Sequence, residues 1–234
     1  MSSEIKRMFS KIAKNYDKAN RLISMGADVR WRRTTALMCL SKGNDLKILD
    51  VATGTGDLAL SIAAEAKSWE KRIKIKGLDF NKEMLDIARE KIAKKGYGNI
   101  ELIEGDALYT HLDAASFDVI TCGFALRNFD DLLKFLKEMY RILKPGGRIV
   151  FLDAARPDSA LESFMKLYYF RVIPALGSMY NKDAYIYFAT SVWKFDKKKL
   201  VQHAKSAGFR NVKLTNLAFN SVYVLTATKP KKKR

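Results

Sequence analysis

Short runs of consecutive apolar residues alternate along most of the chain with segments whose apolar positions recur every three or four residues. The runs are Lys47–Val51, Ile73–Asp79, Ile100–Glu104, Phe117–Cys122, Arg148–Leu152, Val212–Leu217 and Val222–Thr228. Rich in Val, Ile and Leu, they predict strands covered on both faces, as in a parallel sheet. Helical segments lie among them: Leu58–Ala66, Lys82–Lys95 behind the capping candidate Asn81, Leu132–Leu143 before Lys144-Pro145-Gly146-Gly147, and Lys197–Ala207 before Gly208. Strand–helix alternation implies right-handed crossovers. Only Ala218–Ser221 separate the last two strands, too few for a crossover, so these form a hairpin. The expected fold is one α/β domain over residues 1–228, with a seven-stranded sheet, mostly parallel, closed by a C-terminal antiparallel hairpin.

Two segments stand outside this alternation. Residues 1–45 carry aromatic and basic residues at helical spacing and predict an N-terminal helical cap. Residues 155–196 hold a dense set of aromatics, among them Phe164, Tyr168, Tyr169, Tyr185, Tyr187 and Trp193. They supply either extra core packing or a lid, since insertions at this edge of such sheets sit over the ligand crevice.

Composition narrows the classes. At 234 residues and 48% hydrophobic, the chain suits a single folded domain. No apolar run approaches the ~20 residues of a spanning helix, and Met1–Arg21 lacks the apolar core of a secretory signal, so a cytoplasmic protein is expected. Cys39 and Cys122 sit in apolar contexts and read as buried, reduced thiols. His111 and His203 are the only histidines, and no metal site is expected. The net charge of +18 favours polyanions, or reflects a Lys-rich, Gln-poor composition that suits a thermophile. Part of that charge sits in a basic tail, residues 229–234, and in Lys6, Arg7, Lys11 and Lys14.

The candidate chemistry begins where Ile48-Leu49-Asp50-Val51 runs into Ala52-Thr53-Gly54-Thr55-Gly56-Asp57. Gly54 and Gly56 let the backbone approach a ligand. The loop also scans as G-x-G-x-x-A through Ala59, so an NAD-dependent oxidoreductase stays open. Charge favours a different ligand. Asp50 precedes the loop, where a carboxylate can meet a cationic amino-acid moiety. Asp79 ends the second strand, placed for ribose hydroxyls. Asp106 ends the third, placed for an adenine amine. With Asp57, these acids gather at one edge of a basic protein, which suits a sulfonium cofactor, S-adenosyl-L-methionine, and not a pyrophosphate.

Further motifs carry a resemblance. Met8-Phe9-Ser10-Lys11-Ile12-Ala13-Lys14-Asn15-Tyr16-Asp17, Leu78-Asp79-Phe80-Asn81-Lys82-Glu83-Met84-Leu85, Phe124-Ala125-Leu126-Arg127-Asn128 and the Lys-Pro-Gly-Gly stretch resemble the C-methyltransferases of menaquinone and ubiquinone biosynthesis, from about Met8 to the last strand. The Leu-Arg-Asn and N-terminal motifs are its most specific parts. Ala125 departs from a usual glycine, and Asp153-Ala154-Ala155-Arg156-Pro157 from a more typical E-F-S-K-P; these departures bear on the acceptor more than on the cofactor. The resemblance implies a Rossmann-like methyltransferase sheet. It also implies cofactor contacts at Thr55, Asp79, Asp106, Ala107 and Gly123, and C-methylation of a reduced polyprenylated quinol, either a demethylmenaquinol or a 2-methoxy-6-polyprenyl-1,4-benzoquinol. Arg127 and Asn128 would then orient and polarise the quinol oxygen, with Tyr16 as helper; the alternative is a salt bridge and a turn cap. A methyltransferase for another small molecule or RNA, and a catalytically idle protein using its basic surface, remain open. No appended RNA-binding module is recognisable, so no nucleic acid partner is expected. A bilayer-resident acceptor implies peripheral contact with an anionic membrane at its inner face, with the basic tail as anchor and segment 164–180 dipping into the interface.

Overall fold

The computed structural model describes residues 3–41, 43–158 and 160–231. The N-terminal region forms three helices, α1 (Ser3–Ile12), α2 (Tyr16–Ile23) and α3 (Ala27–Leu40). The alternating part follows as β1 (Asp45–Val51), α4 (Asp57–Ser68), β2 (Arg72–Asp79), α5 (Lys82–Lys95), β3 (Ile100–Glu104), β4 (Phe117–Gly123), α6 (Leu132–Ile142) and β5 (Leu143–Ala154). The aromatic segment then folds as α7 (Glu162–Leu167), a π-helical turn Tyr168–Val172, α8 (Ile173–Gly177) and α9 (Lys182–Lys194). Helix α10 (Lys197–Ser206) returns the chain to β6 (Arg210–Asn216) and β7 (Val222–Thr228).

The seven strands lie in the order β3-β2-β1-β4-β5-β7-β6. Strands β1 to β5 pair in parallel, and β7 runs antiparallel between β5 and β6. This is the expected sheet. Alternate residues of each central strand feed opposite layers. Ile48, Val119, Val150 and Val224 pack beneath α2–α4 and α7–α9. Leu49, Ile120, Phe151 and Leu225 pack beneath α6 and α10. Cys39 and Cys122 are both buried and unpaired.

Local chemistry sets most boundaries. Asn81, Asp131, Asn181 and Asp196 each accept a backbone N–H in the first turn of α5, α6, α9 and α10, satisfying donors that a helix start leaves unpaired. One boundary differs from the sequence reading. The Pro-Gly-Gly stretch ends α6 as expected, but β5 starts at Leu143 rather than Arg148. Phe117 pairs with Leu143, the register shifts, and Val119 pairs with Arg148. The extra residues form a bulge, held where Lys144 Nζ meets both oxygens of Asp118 at 2.8 Å.

The C-terminal end also differs. Thr228 pairs with Arg148, the first residue of β5 to meet β7, so the chain leaves the sheet at the edge opposite the C-terminal ends of the parallel strands. Lys229 Nζ donates to the carbonyls of Tyr140 (2.6 Å) and Leu143 (2.7 Å). It caps the end of α6, where carbonyls lack intrahelical partners. Lys232–Arg234, the rest of the basic tail, lie outside the described residues.

Helices α8 and α9 meet at one close approach. A Cβ added to Gly177 would lie 2.1 Å from Tyr185 Cγ, and Tyr185 is itself buried. Gly177→Ala is expected to destabilise the protein by about 1–3 kcal/mol through overpacking, read as a lower urea midpoint at unchanged slope. An unchanged midpoint would mean that the two helices do not pack in this way.

Candidate active site

Strands β1 and β4 are neighbours, but α4 leaves β1 toward one face of the sheet and α6 follows β4 on the other. Chains diverging from adjacent strand ends leave a crevice, the usual ligand position in open α/β sheets. The first residue after each strand, Ala52 (φ 52°) and Phe124 (φ 60°), is in the left-handed region. Side chains rarely adopt this conformation, and such strain clusters at functional sites. Gly54 (φ 55°) and Gly56 (φ 80°) continue the turn. The loop is pinned to β2 by Thr53 N–H donating to Leu78 O (3.1 Å) and Gly54 N–H donating to Asp79 Oδ2 (2.8 Å).

The crevice holds two adjoining clefts. One is lined by Ala52, Gly54, Asp79, Gly123, Phe9 and Tyr16, among others. The other is lined by Ala52, Asp79, Phe80, Gly105, Asp106 and Ala107, among others. The structure therefore brings together Gly54, Asp79, Asp106, Ala107 and Gly123. Asp79 is buried and its Oδ1 also accepts Asn81 N–H at 2.9 Å. Burial pushes its carboxyl up to about 6, against the pull of these backbone donors. Asp106 presents an exposed carboxylate whose Oδ1 accepts Leu108 N–H at 2.8 Å.

Asp50, Thr55 and Gly56 line neither cleft, in contrast to the sequence expectation. Asp50 is buried beneath the loop. It accepts from Thr53 Oγ1 (2.6 Å) and Thr121 Oγ1 (2.7 Å), and burial raises its pKa against those bonds. Thr55 Oγ1 donates to Asp17 Oδ1 at 2.6 Å and receives Lys91 Nζ at 3.3 Å. Gly56 packs on Ala88, which a Cβ would approach to 3.2 Å. Asp57 is paired with Lys91 and reached by Arg21 and Arg32. The loop acids are thus spent on holding the loop and the N-terminal helices, and the carboxylates facing the clefts are Asp79 and Asp106.

A larger cavity, about 350 Å³, shares Phe9, Tyr16, Phe124 and Asn128 with the first cleft. Its walls are almost wholly apolar and come from α1–α3 on one side and α7–α9 on the other. Arg127, Asn128 and Tyr16 all line it, at the end nearest the crevice. Arg127 forms a buried ion pair with Asp153, its Nε donates to Ser191 Oγ (3.2 Å), and its guanidinium lies 4.9 Å over the Phe188 ring. Asn128 Oδ1 accepts from Tyr187 Oη at 3.0 Å. The Tyr16 phenol is raised by burial, against the pull of Arg32 and a hydrogen bond with Asn20. At the other end Met25, Phe164 and Phe219 line the cavity yet are 83%, 65% and 65% exposed. They form an apolar rim.

The sequence did not single out Ser191, Met25 or Phe219, and it named Asp153 only within a motif and Tyr187 and Phe164 only among the aromatics of the segment 155–196. Asp153 carried a usable signal, an acid at a strand end facing a candidate cation. Ser191 and Tyr187 became neighbours of Arg127 and Asn128 only through the packing of α9.

Comparison with known proteins agrees with this geometry. Solved structures share the fold at low identity. A crystallised protein of Methanococcus maripaludis superposes with TM-score 0.70 at 19% identity, covering 100% of this chain and 99% of that one. The phosphoethanolamine N-methyltransferase 2 of Haemonchus contortus, crystallised with S-adenosylhomocysteine, gives 0.64 at 17%, over 86% of this chain and 52% of its own. Relatives are closer in sequence. The demethylmenaquinone methyltransferase of Deinococcus radiodurans is 41% identical over 210 residues, 88% of this chain and 85% of its own. The ubiquinone/menaquinone biosynthesis C-methyltransferase UbiE of Geotalea daltonii is 38% identical over 230 residues, 97% and 96% of the two chains. The oxidoreductase left open by the glycine spacing is thereby set aside. Since the model of one family matches residues 1–229, across the crevice, the cavity and the Leu-Arg-Asn turn that joins them, the chain belongs to the ubiE/COQ5 methyltransferase family.

Proposed function

We propose that this methyltransferase transfers the methyl group of S-adenosyl-L-methionine to a ring carbon of a reduced polyprenylated quinol, with a demethylmenaquinol as first acceptor. The observation that carries this reading is the apolar cavity that ends in Arg127, Asn128 and Tyr16 beside the crevice. The name of the Deinococcus radiodurans relative favours the naphthoquinol, whereas that of the Geotalea daltonii relative covers both quinones.

The crevice fits the cofactor. Asp79 faces both clefts and is a buried carboxylate with acceptor capacity beyond its backbone bonds, suited to ribose hydroxyls. Asp106 and Ala107 lie where an adenine amine would be read, and Gly54 and Gly123 leave room for the amino-acid end. When bound, the cofactor supplies an electrophilic methyl group. The chain's own residues prepare the acceptor. A quinol ring carbon becomes nucleophilic as its hydroxyl oxygen gains negative charge. Arg127, fixed on three sides, is a cation in a mostly apolar cavity, and a guanidinium does not accept a proton, so its part is electrostatic. Asn128 adds amide donors and Tyr16 a phenol. The helices α7–α9 act as the lid that keeps water from this end. A cavity of about 350 Å³ takes the head group and part of the tail; a long prenyl chain leaves past Met25, Phe164 and Phe219. That rim supports a reading in which the cavity mouth meets a bilayer, while the chain at Lys229 leaves the opposite edge of the sheet. In this reading the apolar rim, and not the tail, makes the contact.

Three outcomes are expected. Because ribose hydroxyls donate to the ionised form of Asp79, binding must displace its proton below pH 6. The affinity for S-adenosylhomocysteine, measured by calorimetry, should therefore be flat above about pH 6 and fall up to ~10-fold per unit below it. Asp79→Asn should bind about 10–150-fold more weakly and lose this pH dependence; unchanged affinity removes Asp79 from the site.

Asn128→Ala, and Arg127→Ala made together with Asp153→Asn so that no buried carboxylate is stranded, should each lower turnover by about 100-fold or more. Both should still bind S-adenosylhomocysteine. Near-normal rates with a demethylmenaquinol would make these residues structural.

In co-sedimentation with anionic vesicles, the pair Phe164→Ser and Phe219→Ser should reduce binding, whereas deletion of residues 229–234 should not. The reverse pattern would restore the tail as anchor.

A further inference from the structure

We infer that Tyr187 is a positioning residue for Asn128, turning its amide so that the nitrogen, and not the oxygen, is presented to the acceptor. This rests on the acceptor-site reading above. An asparagine side chain has two ends of opposite character. Its NH₂ group would stabilise a quinol oxygen that gains negative charge, and its carbonyl oxygen would repel it. Which end faces the cavity decides whether the residue helps or hinders.

The structure contains one group that makes this choice. Asn128 sits in the short turn after β4, buried at 4% exposure, and lines both the acceptor cavity and the cofactor cleft. Its Oδ1 accepts the hydroxyl of Tyr187, 59 residues away in α9, at 3.0 Å. With the carbonyl oxygen engaged, the Nδ2 hydrogens are left for whatever occupies the cavity. A phenol can donate or accept, so the direction of this bond needs its own cause. Arg127 supplies one, since its positive charge acts on the Tyr187 hydroxyl more strongly than the opposing charge of Asp130. A nearby cation favours the arrangement in which the phenolic oxygen faces the guanidinium and the proton points away, toward Asn128 Oδ1. Burial raises the Tyr187 pKa, so the hydroxyl keeps its proton near neutral pH. The hydrogen bond also draws electron density toward Oδ1, which makes Nδ2–H a stronger donor.

The same contact links the lid to the chemistry. Helix α9 carries Tyr187, along with Phe188 and Ser191, which hold Arg127. Seating α9 therefore orients both donors of the acceptor site at once.

Tyr187→Phe removes only the hydroxyl and keeps the ring as cavity wall. It should lower kcat about tenfold, while the KM for a demethylmenaquinol and the affinity for S-adenosylhomocysteine stay within about twofold of the parent, changes that correspond to under 0.5 kcal/mol. Made in the Asn128→Ala background, the same change should have no further effect on kcat, because the amide it orients is gone. Normal kcat in Tyr187→Phe, with Asn128→Ala impaired, overturns this inference and leaves the acceptor-site reading intact. An equal loss in both backgrounds, or a loss confined to KM, also overturns it and leaves Tyr187 as wall. Normal turnover in Asn128→Ala overturns the reading itself and the inference with it.

Discussion

The acceptor site depends on a charge being buried. Arg127 and Asp153 pair with side-chain exposures of 5% and 0%. Removing two such groups from water costs several kcal/mol, which their attraction offsets only when the geometry is good. Asp153 is set in place for this pairing by the sheet. It is the penultimate residue of β5, paired in register with Tyr223 of β7, and its Oδ1 also accepts Ala154 N–H at 2.7 Å. Burial pushes its carboxyl up, and Arg127 is the strongest influence opposing that shift. The lid begins a few residues after this anchor and returns Phe188 and Ser191 to the other sides of the guanidinium. Sheet, cation and lid are therefore positioned by one another. The cavity they enclose keeps the field of Arg127 poorly screened, so a negative oxygen arriving there meets a stronger attraction than it would in water.

The cofactor side solves a different problem, that of too many acids. The four acids marked in the sequence, Asp50, Asp57, Asp79 and Asp106, lie near the glycine loop, and if all faced the ligand they would repel one another. Two are taken up instead. Asp50 is held by hydroxyl donors beneath the loop, and Asp57 is paired with Lys91 and reached by two arginines. Lys91 also holds Asp17 of α2 at 2.7 Å, and Asp17 in turn receives Thr55. The N-terminal helices are thus tied to the loop through charge, whereas the lid is tied to the sheet mainly through apolar and aromatic contact. What remains facing the crevice is Asp79, whose raised carboxyl reports the cost of keeping an acid there, and Asp106 at the solvent end.

The sheet was legible in the sequence because its central strands are buried on both faces, and runs of Val, Ile and Leu between turn signals allow few other readings. The start of β5 was not legible, because Pro145 and Gly146 signal a break and nothing local says that a bulge absorbs them. Asp79 and Asp106 were legible for the same reason as the strands, since an acid at the end of a parallel strand has one edge to face. The orientation of Asp50 and Thr55 was not legible because position along a loop does not say which way a side chain turns; that was decided by Thr121 and Asp17, 71 and 38 residues away. Arg127 and Asn128 were visible as a motif, while the partners that orient them lie 26 and 59 residues off. Such pairings follow from packing, and packing is what a single sequence states least directly.

The direction of the strands also bears on the proposed membrane contact. The strands β1 to β5 all run toward the crevice, and β7 carries the chain back along the length of β5. Seven paired residues, Arg148–Ala154 against Val222–Thr228, span about 20 Å at ~3.3 Å per residue. Whatever follows Thr228 therefore starts more than two Debye lengths, each about 8 Å, from a bilayer touched by the cavity rim. Charge at that distance is largely screened. The net charge of +18 can still draw the molecule toward an anionic surface from any side, since that attraction needs no fixed orientation. In the proposed reading, orientation comes instead from a contact of short range. Met25, Phe164 and Phe219, exposed on the lip of an apolar cavity, would provide one that a prenyl chain would follow from the bilayer toward Arg127.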